Sequence, residues 1–349
     1  MAPVRARDPV GVNLTPIVVK ETISLDRLSG RVLAVDASIE LYQFLSIMRL
    51  PDGAPLTDGQ GRITSHLNGI LFRSTRLISE HRARLLYVFD GRPPELKRRE
   101  IEKRTRAKEK AEREYREAIA RGDRAAAWSK VVMTTRLTRE MKEDAQRLLG
   151  LLGIPWVQAP SEAEAQCAWF AKQGKAWAVS SKDYDSLLFG APRLARFVGV
   201  QGREFLPSKR TSRIVPPELI DLAAMLRALG LTHRQLIEAA ILIGTDFNEG
   251  VKGVGPKTAV KLLREHGSLE ELPAKFRDAL PSNADAVGSY FLEPEVDASP
   301  DVHAGRLDPE GVVTFLCRER GFAEDRVRAA VDRLGSVGPT PTTLEDFTP

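Results

Sequence analysis

Apolar residues recur along this chain in two rhythms. Residues 32–35 (Val-Leu-Ala-Val) and 85–89 (Leu-Leu-Tyr-Val-Phe) are short unbroken runs. They are too short for helices and too uniform for strands with one wet face, so they predict strands buried on both sides. Further strands are expected over residues 153–157 and 176–179. Between them apolar positions recur every three or four residues: Ile39, Leu41, Tyr42, Phe44, Leu45 and Met48, then residues 65–81, then residues 141–152. That spacing predicts amphipathic helices. Later come a hairpin over residues 193–206, turning at Gln201-Gly202, and helices over residues 216–229 and 232–244. A glycine-rich turn leads into a helix ending near Leu263, and two more helices surround Val312 to Leu316 and Val327 to Leu334. Strand–helix alternation with such strands predicts an α/β fold, a mostly parallel central sheet with helices on both faces.

In sheets of that kind, ligands bind beyond the carboxyl ends of the strands. Asp36, Asp90, Asp183 and Asp185 all fall there. Glu162 and Glu164 follow Pro160-Ser161, where a helix is expected to start with Ser161 as its N-cap. Ser161-x-x-Glu164 reads as a capping box, and Glu162 suits the first turn of a helix. Taken alone, Glu162, Glu164, Asp183 and Asp185 fit capping and metal binding equally well. Three strands ending in aspartate tip that balance, and Asp246, after the helix over 232–244, brings the acids to seven. Unneutralised, such a cluster would repel itself. Two Mg²⁺ ions fit it: magnesium takes oxygen ligands, and no histidine or cysteine shares the pattern. A pair of such ions is the clamp used for in-line phosphodiester cleavage.

Charge adds a second theme. The net charge of +5 and pI near 9.2 over 349 residues say little by themselves, but the distribution is uneven. Residues 92–124 are dense in Lys97, Arg98, Arg99, Lys103, Arg104, Arg106, Lys108, Lys110 and Arg113, on a helix polar nearly all round. A solvated face explains any one of them; phosphate contact explains the segment at least as well. A second basic helical pattern follows, with Trp128, Val131, Val132, Met133 and Leu137. Gly253-Val-Gly255-Pro-Lys257 between two helices is the pattern of a helix–hairpin–helix, whose backbone N–H groups bind phosphate. Two distant cysteines exclude a disulfide framework, and scattered histidines exclude a zinc site. No apolar run could span a membrane.

At this point the chain resembles the archaeal flap endonucleases, members of the structure-specific 5′ nuclease family. The matching stretches are Val-Asp-Ala-Ser38, Leu-Tyr-Gln-Phe44, Gly-Arg-Ile-Thr-Ser-His-Leu67, Tyr-Val-Phe-Asp-Gly-Arg-Pro-Pro-Glu-Leu-Lys97, Gly-Ile-Pro-Trp-Val-Gln-Ala-Pro-Ser-Glu-Ala-Glu-Ala-Gln166, Asp-Tyr-Asp-Ser-Leu-Leu-Phe-Gly190 and Gly-Thr-Asp-Phe-Asn-Glu-Gly-Val-Lys-Gly-Val-Gly-Pro-Lys257. The resemblance implies that Asp36, Asp90 and Glu162 face one metal and Asp183, Asp185 and Asp246 the other, with Glu164 near both. Lys97 and Arg104 match the family's basic pair, and their i, i+7 spacing shares a helix face. Tyr42 matches the residue that stacks on the base near the cut, Arg49 and Arg73 match phosphate contacts, and Thr64 and Ser65 lie where a short 3′ flap is received. From residues alone, Tyr42 reads as core, Arg49 as surface, and Thr64 and Ser65 as caps. Gly253, Gly255 and Lys257 would bind downstream duplex, with the carbonyls of Gly250, Val251 and Val254 holding K⁺. Departures are Phe247, where the family often has tyrosine, and Lys182, a cation beside Asp183.

The expected organisation is a single nuclease domain over residues 11–334. It comprises an N-terminal region (11–91), a helical arch over the active site (92–137), an internal region (138–248), and the helix–hairpin–helix with C-terminal helices (249–334). Residues 335–349 form a disordered tail, in which Leu344 and Phe347 keep the spacing of a degenerate sliding-clamp-binding box. Gly11-Val-Asn-Leu14 matches the family's start, where the glycine lies near the metals. Residues 1–10 are therefore expected to be a non-native or disordered extension, with Val10 as initiator and Gly11 as a DNA-facing N-terminus. The implied function is Mg²⁺-dependent cleavage near the base of 5′ flaps, with 5′–3′ exonuclease activity, in Okazaki fragment maturation and long-patch base excision repair. The expected setting is an intracellular, nucleoid-associated monomer. A related exonuclease or bubble-cutting enzyme is a second reading, and a catalytically silent DNA-binding or clamp-associated scaffold a third. The full acid set argues against the scaffold.

Overall fold

A computed structural model of the chain describes residues 11–50, 54–122, 137–199, 203–206 and 211–337. Nine strands are described: β1 (Glu21–Thr22), β2 (Val32–Asp36), β3 (Arg84–Phe89), β4 (Trp156–Gln158), β5 (Ala178–Ser180), β6 (Arg193–Arg196), β7 (Arg203–Leu206), β8 (Thr211–Ile214) and β9 (Glu218–Asp221). Seven form one sheet in the order β1-β9-β6-β5-β2-β3-β4. The five from β6 to β4 are mutually parallel, and β9 and β1 add an antiparallel edge. The fold class expected from the apolar runs is thus the one observed.

Alternation along the strands explains why those runs are unbroken. Val32, Ala34, Leu86, Val88, Val179 and Ile220 enter one hydrophobic cluster. Their neighbours Leu33, Val35, Leu85, Tyr87, Ala178 and Leu219 enter the other. Each strand therefore feeds two cores, and neither face can be polar. The second cluster is closed by α1 (Ala37–Ile47), the helical stretch of α2 (Ser65–Gly69) and α3 (Thr75–His81), and the C-terminal helices. The long polar α4 (Arg98–Ala120) stands apart from both cores. At 1.5 Å per residue it reaches roughly 34 Å. Also on the second face lies α5 (Arg139–Leu151). The first cluster is closed by α6 (Ala163–Lys172) and, beyond the short α7 (Asp185–Leu188) and α8 (Leu222–Leu229), by α9 (His233–Ile243), α10 (Pro256–His266) and the helix Ala284–Leu292.

Two expectations fail here. The hairpin over residues 193–206 does not form: residues 193–196 are β6, inside the main sheet, and the hairpin is β7 with β8. Residues 216–229 are not one helix, because residues 218–221 pair with β6 as β9 before α8 begins. Both errors share a cause: short apolar segments take their form from the sheet edge they join. The expected turn at Gln201-Gly202, the helical pattern around Trp128, the extension over residues 1–10 and the clamp box at Leu344 and Phe347 lie outside the described residues. Among the described residues no helix is long and apolar enough to cross a membrane.

Candidate active site

The order of the parallel strands reverses at β2. The chain moves from β2 outward through β3 to β4, then returns to β5 on the other side of β2. A crevice opens at the carboxyl ends of strands at such a reversal. Asp36 ends β2 there, and its Oδ1 accepts the Ile39 N–H at 3.0 Å, capping α1. Asp90 follows β3. Gly91 has no room for a Cβ against the carbonyls of Ala159 and Pro160, and its N–H donates to Ser161 O at 2.7 Å. That close approach brings Asp90 to the start of α6, where its Oδ1 accepts the Ala163 N–H at 3.0 Å.

This arrangement overturns the capping box. Glu162, not Ser161, occupies the N-cap of α6, and its side chain makes no capping bond. The remote Asp90 performs that task, so both glutamates are released. Glu164 turns instead to Ser181 Oγ at 3.4 Å. Asp183 and Asp185 follow β5, and Asp246 follows α9. Asp246 Oδ1 accepts the Gly11 N–H at 3.0 Å, and Asp185 Oδ1 accepts the Val12 N–H at 3.1 Å. Gly11 adopts φ +74°, and a Cβ there would stand 3.2 Å from Asp185 Oδ1, so the approach suits glycine. All seven acids are thus brought to one pole of the sheet, six by strand ends and helix starts and Asp246 by the turn after α9.

Two cations, Lys97 just before α4 and Arg104 on it, reach the same acids. Lys97 Nζ pairs with Glu162 Oε1 and lies 3.5 Å from Asp246 Oδ2; Arg104 Nη2 lies 2.5 Å from that oxygen. Lys97 closes the 3-10 turn Glu95–Lys97 that runs into α4, whereas Arg104 lies within α4, so the two meet at Asp246 from a turn and a helix rather than from one helix face. Burial pushes the Asp36 and Glu164 carboxyls well above the carboxylate range, with Asp90 adding to it for Asp36 and Asp185 for Glu164. Burial, then Asp246, raises Asp185 to about 7. Glu162 is also raised, since burial outweighs the Lys97 ammonium beside it. Burial would raise Asp246 too, but Lys97 and Arg104 bring it below its usual value. Among the described residues no three acidic, histidine or cysteine side chains stand grouped in metal-ligand geometry; the acids are drawn to backbone N–H groups and to these two cations. The donor set is nonetheless all oxygen and, where burial and mutual repulsion raise it, short of positive charge. That chemistry fits a hard divalent cation.

Known proteins resemble the chain in sequence and fold. Residues 13–111 match the XPG N-terminal domain and residues 153–246 the XPG I-region. The flap endonuclease 1 of Hyperthermus butylicus is 46% identical over 333 residues, covering 93% of this chain and 94% of its own length. The chain belongs to the flap endonuclease family. Among solved structures, the flap endonuclease-1 of Methanococcus jannaschii superposes with a TM-score of 0.73 at 36% identity, over 94% of this chain and 98% of that one. The catalytic core of Rad2 in complex with DNA substrate superposes at 0.67 and 25% identity, over 90% of this chain and 96% of that one.

Other residues expected to serve a flap endonuclease are placed as follows. Tyr42 is half-buried on α1, so it is not simple core. Arg49 is half-buried and its Nε donates to Ser46 O at 3.3 Å; Arg73 is half-buried between α2 and α3. Thr64 occupies the N-cap of α2 without a side-chain capping bond, and Ser65 is its first residue, whose Oγ donates to Met48 O at 2.6 Å while accepting the Leu56 N–H at 3.0 Å. Between α9 and α10 the turn is closed by Val251 N–H to Leu242 O at 2.8 Å and Val254 N–H to Val251 O at 3.0 Å. Gly250 packs against the Ile243 carbonyl, Gly255 is the N-cap of α10, and Lys257 is exposed in its first turn. Sequence reasoning missed two neighbours of the acids. Tyr290 places its hydroxyl 3.4 Å from Glu162 Oε2, and Lys142 Nζ lies 3.9 Å from Asp90 Oδ2. Both sit in ordinary helical patterns, which carry no signal of what the helix faces.

Proposed function

We propose that this chain hydrolyses a DNA phosphodiester bond near the base of 5′ flaps, with two Mg²⁺ ions held by Asp36, Asp90, Glu162, Glu164, Asp183, Asp185 and Asp246. The observation that carries the reading is the joining of those acids, from separate segments of the chain, at the strand-order reversal with Lys97 and Arg104 reaching into them. Bound there, the ions supply a water acidic enough to give hydroxide and a charge to stabilise the leaving oxygen. Lys97 and Arg104 donate to the scissile phosphate, where preorganised donors act most strongly on developing charge. Tyr42 stacks on the base beside the cut, and Arg49 and Arg73 hold phosphates. Thr64 and Ser65 line the place that receives a short 3′ flap. α4 forms one side of an arch through which the 5′ flap passes.

Downstream duplex lies on the turn before α10. There the N–H groups of Gly253 and Gly255 and the Lys257 ammonium bind phosphates, and the carbonyls of Gly250, Val251 and Val254 hold K⁺. A single nuclease domain over residues 11–334, 5′–3′ exonuclease activity, and work in replication and base excision repair complete the reading. Cleavage of a double-flap DNA, a nicked duplex and a bubble with Mg²⁺ tests it. The double flap should be cut fastest. Asp183→Ala and Asp90→Ala should abolish cutting while leaving flap-DNA binding largely intact, since basic contacts supply most of the affinity. Near-normal cutting by either variant would remove the metal assignment.

A further inference from the structure

Behind the loop carrying Asp183 and Asp185 stands a cation that this chemistry does not use. Arg196 closes β6, with its side chain 9% exposed, and its Nη1 lies 3.0 Å from Glu218 Oε2 on β9, itself 7% exposed. A buried ion pair roughly breaks even against an apolar pair of the same shape, so stability alone gives no account of it. Its other bonds do. Nε donates to the Lys182 carbonyl at 2.9 Å, and Nη1 donates to the Tyr184 hydroxyl at 2.7 Å. Lys182 precedes Asp183, and Tyr184 lies between the two aspartates. One planar group thus grips the loop on both sides of Asp183, with its centre 4.2 Å from the Tyr184 ring centroid.

The same network reaches the chain's other approach to the site. The Tyr184 hydroxyl lies 3.3 Å from Thr15 Oγ1, and Glu218 Oε1 pairs with Lys20. Those contacts fix the segment whose Gly11 and Val12 N–H groups bond Asp246 and Asp185. We propose that Arg196 is a positioning residue that holds Asp183 and Asp185 in the separation and direction a divalent cation requires. The proposal rests on the metal reading above. Arginine is needed because a lysine ammonium keeps the charge opposite Glu218 but lacks the rigid fork that meets all three acceptors.

Mn²⁺ binding to the full chain without DNA, read from the free-ion EPR signal, tests this apart from cleavage. Arg196→Lys should weaken binding about 10-fold or more, the scale of losing an outer partner of a metal ligand. Its circular dichroism and its flap-DNA affinity in Ca²⁺ should stay near those of the parent. Tyr184→Phe, which loses one of the two grips, should show a smaller loss in the same direction. An Arg196→Lys protein that takes up Mn²⁺ as tightly as the parent overturns the proposal. If that variant does not fold, parent-like affinity in Tyr184→Phe overturns it instead. A parent chain that binds no Mn²⁺ removes the metal reading and this proposal with it.

Discussion

Glu40 lies far from the usual place of a carboxylate. It sits on α1 with 5% exposure, and its side chain accepts a long hydrogen bond from Gln43 Nε2 at 3.4 Å. Gly199 packs so closely that a Cβ there would overlap Glu40 Oε1. Burial raises this carboxyl from 4.5 to about 7. The unfolded chain therefore releases the proton near 4.5, and the folded chain holds it to about 7. Between those values stability falls as pH rises; below them there is no penalty, and above them it is complete. A rise from 4.5 to about 7 corresponds to about 3 kcal/mol. Glu40→Gln removes the charge and keeps the shape. Any cost of its new N–H₂ group is independent of pH and cancels in a comparison. Urea unfolding of both proteins at pH 5 and pH 8 should show the variant gaining about 2 kcal/mol on the parent between the two. An unchanged gap would refute the reasoning.

Three further outcomes follow from the site and the tail. Lys97→Ala and Arg104→Ala should each slow single-turnover cleavage by about 10²-fold, the scale of one lost electrostatic donor, with flap-DNA affinity nearly kept; weaker binding with normal cleavage of bound DNA would make them phosphate anchors only. Asp183 and Asp185 are raised to about 6 and about 7, chiefly by burial, so without metal the protein loses stability as pH rises from about 4 to 7. Thermal scans should then show a larger Mg²⁺-induced rise in melting temperature at pH 8 than at pH 5.5, and an equal rise would count against these acids as the binding site. A peptide of residues 336–349 titrated against the cognate sliding clamp should bind through Leu344 and Phe347 in an apolar pocket; no binding at high concentration removes that contact.

The two-faced strands and their terminal aspartates were legible because burial on both sides leaves an unbroken apolar run, and a charge just beyond it stands out. Lys97 and Arg104 were singled out through the family resemblance, and both reach the acids although Lys97 stands in the 3-10 turn before α4. The N-cap expected at Ser161 does not form because a capping box is a local pattern, while the bond that caps α6 comes from Asp90, 73 positions from its partner. β6 and β9 were misread because four-residue segments are decided by their neighbours in the sheet. Arg196, Tyr290 and Lys142 were not legible at all. Nothing local separates an arginine on a solvated strand end from one that grips a loop through two acceptors.

The tie between Gly11 and Asp246 joins residues 235 positions apart. The acids themselves extend from Asp36 to Asp246, a stretch of 210 residues. At synthesis rates of about 5–20 residues per second, roughly 10–40 s pass between the emergence of the first and the last. During that interval a growing chain offers β2 and β3 without the acids that complete the cluster, so the metal site proposed above is unfinished. A product ending before Asp246 would lack it as well. On that reading, competence to cut arrives only with the distal segment, a delay set by the spacing of the acids along the chain.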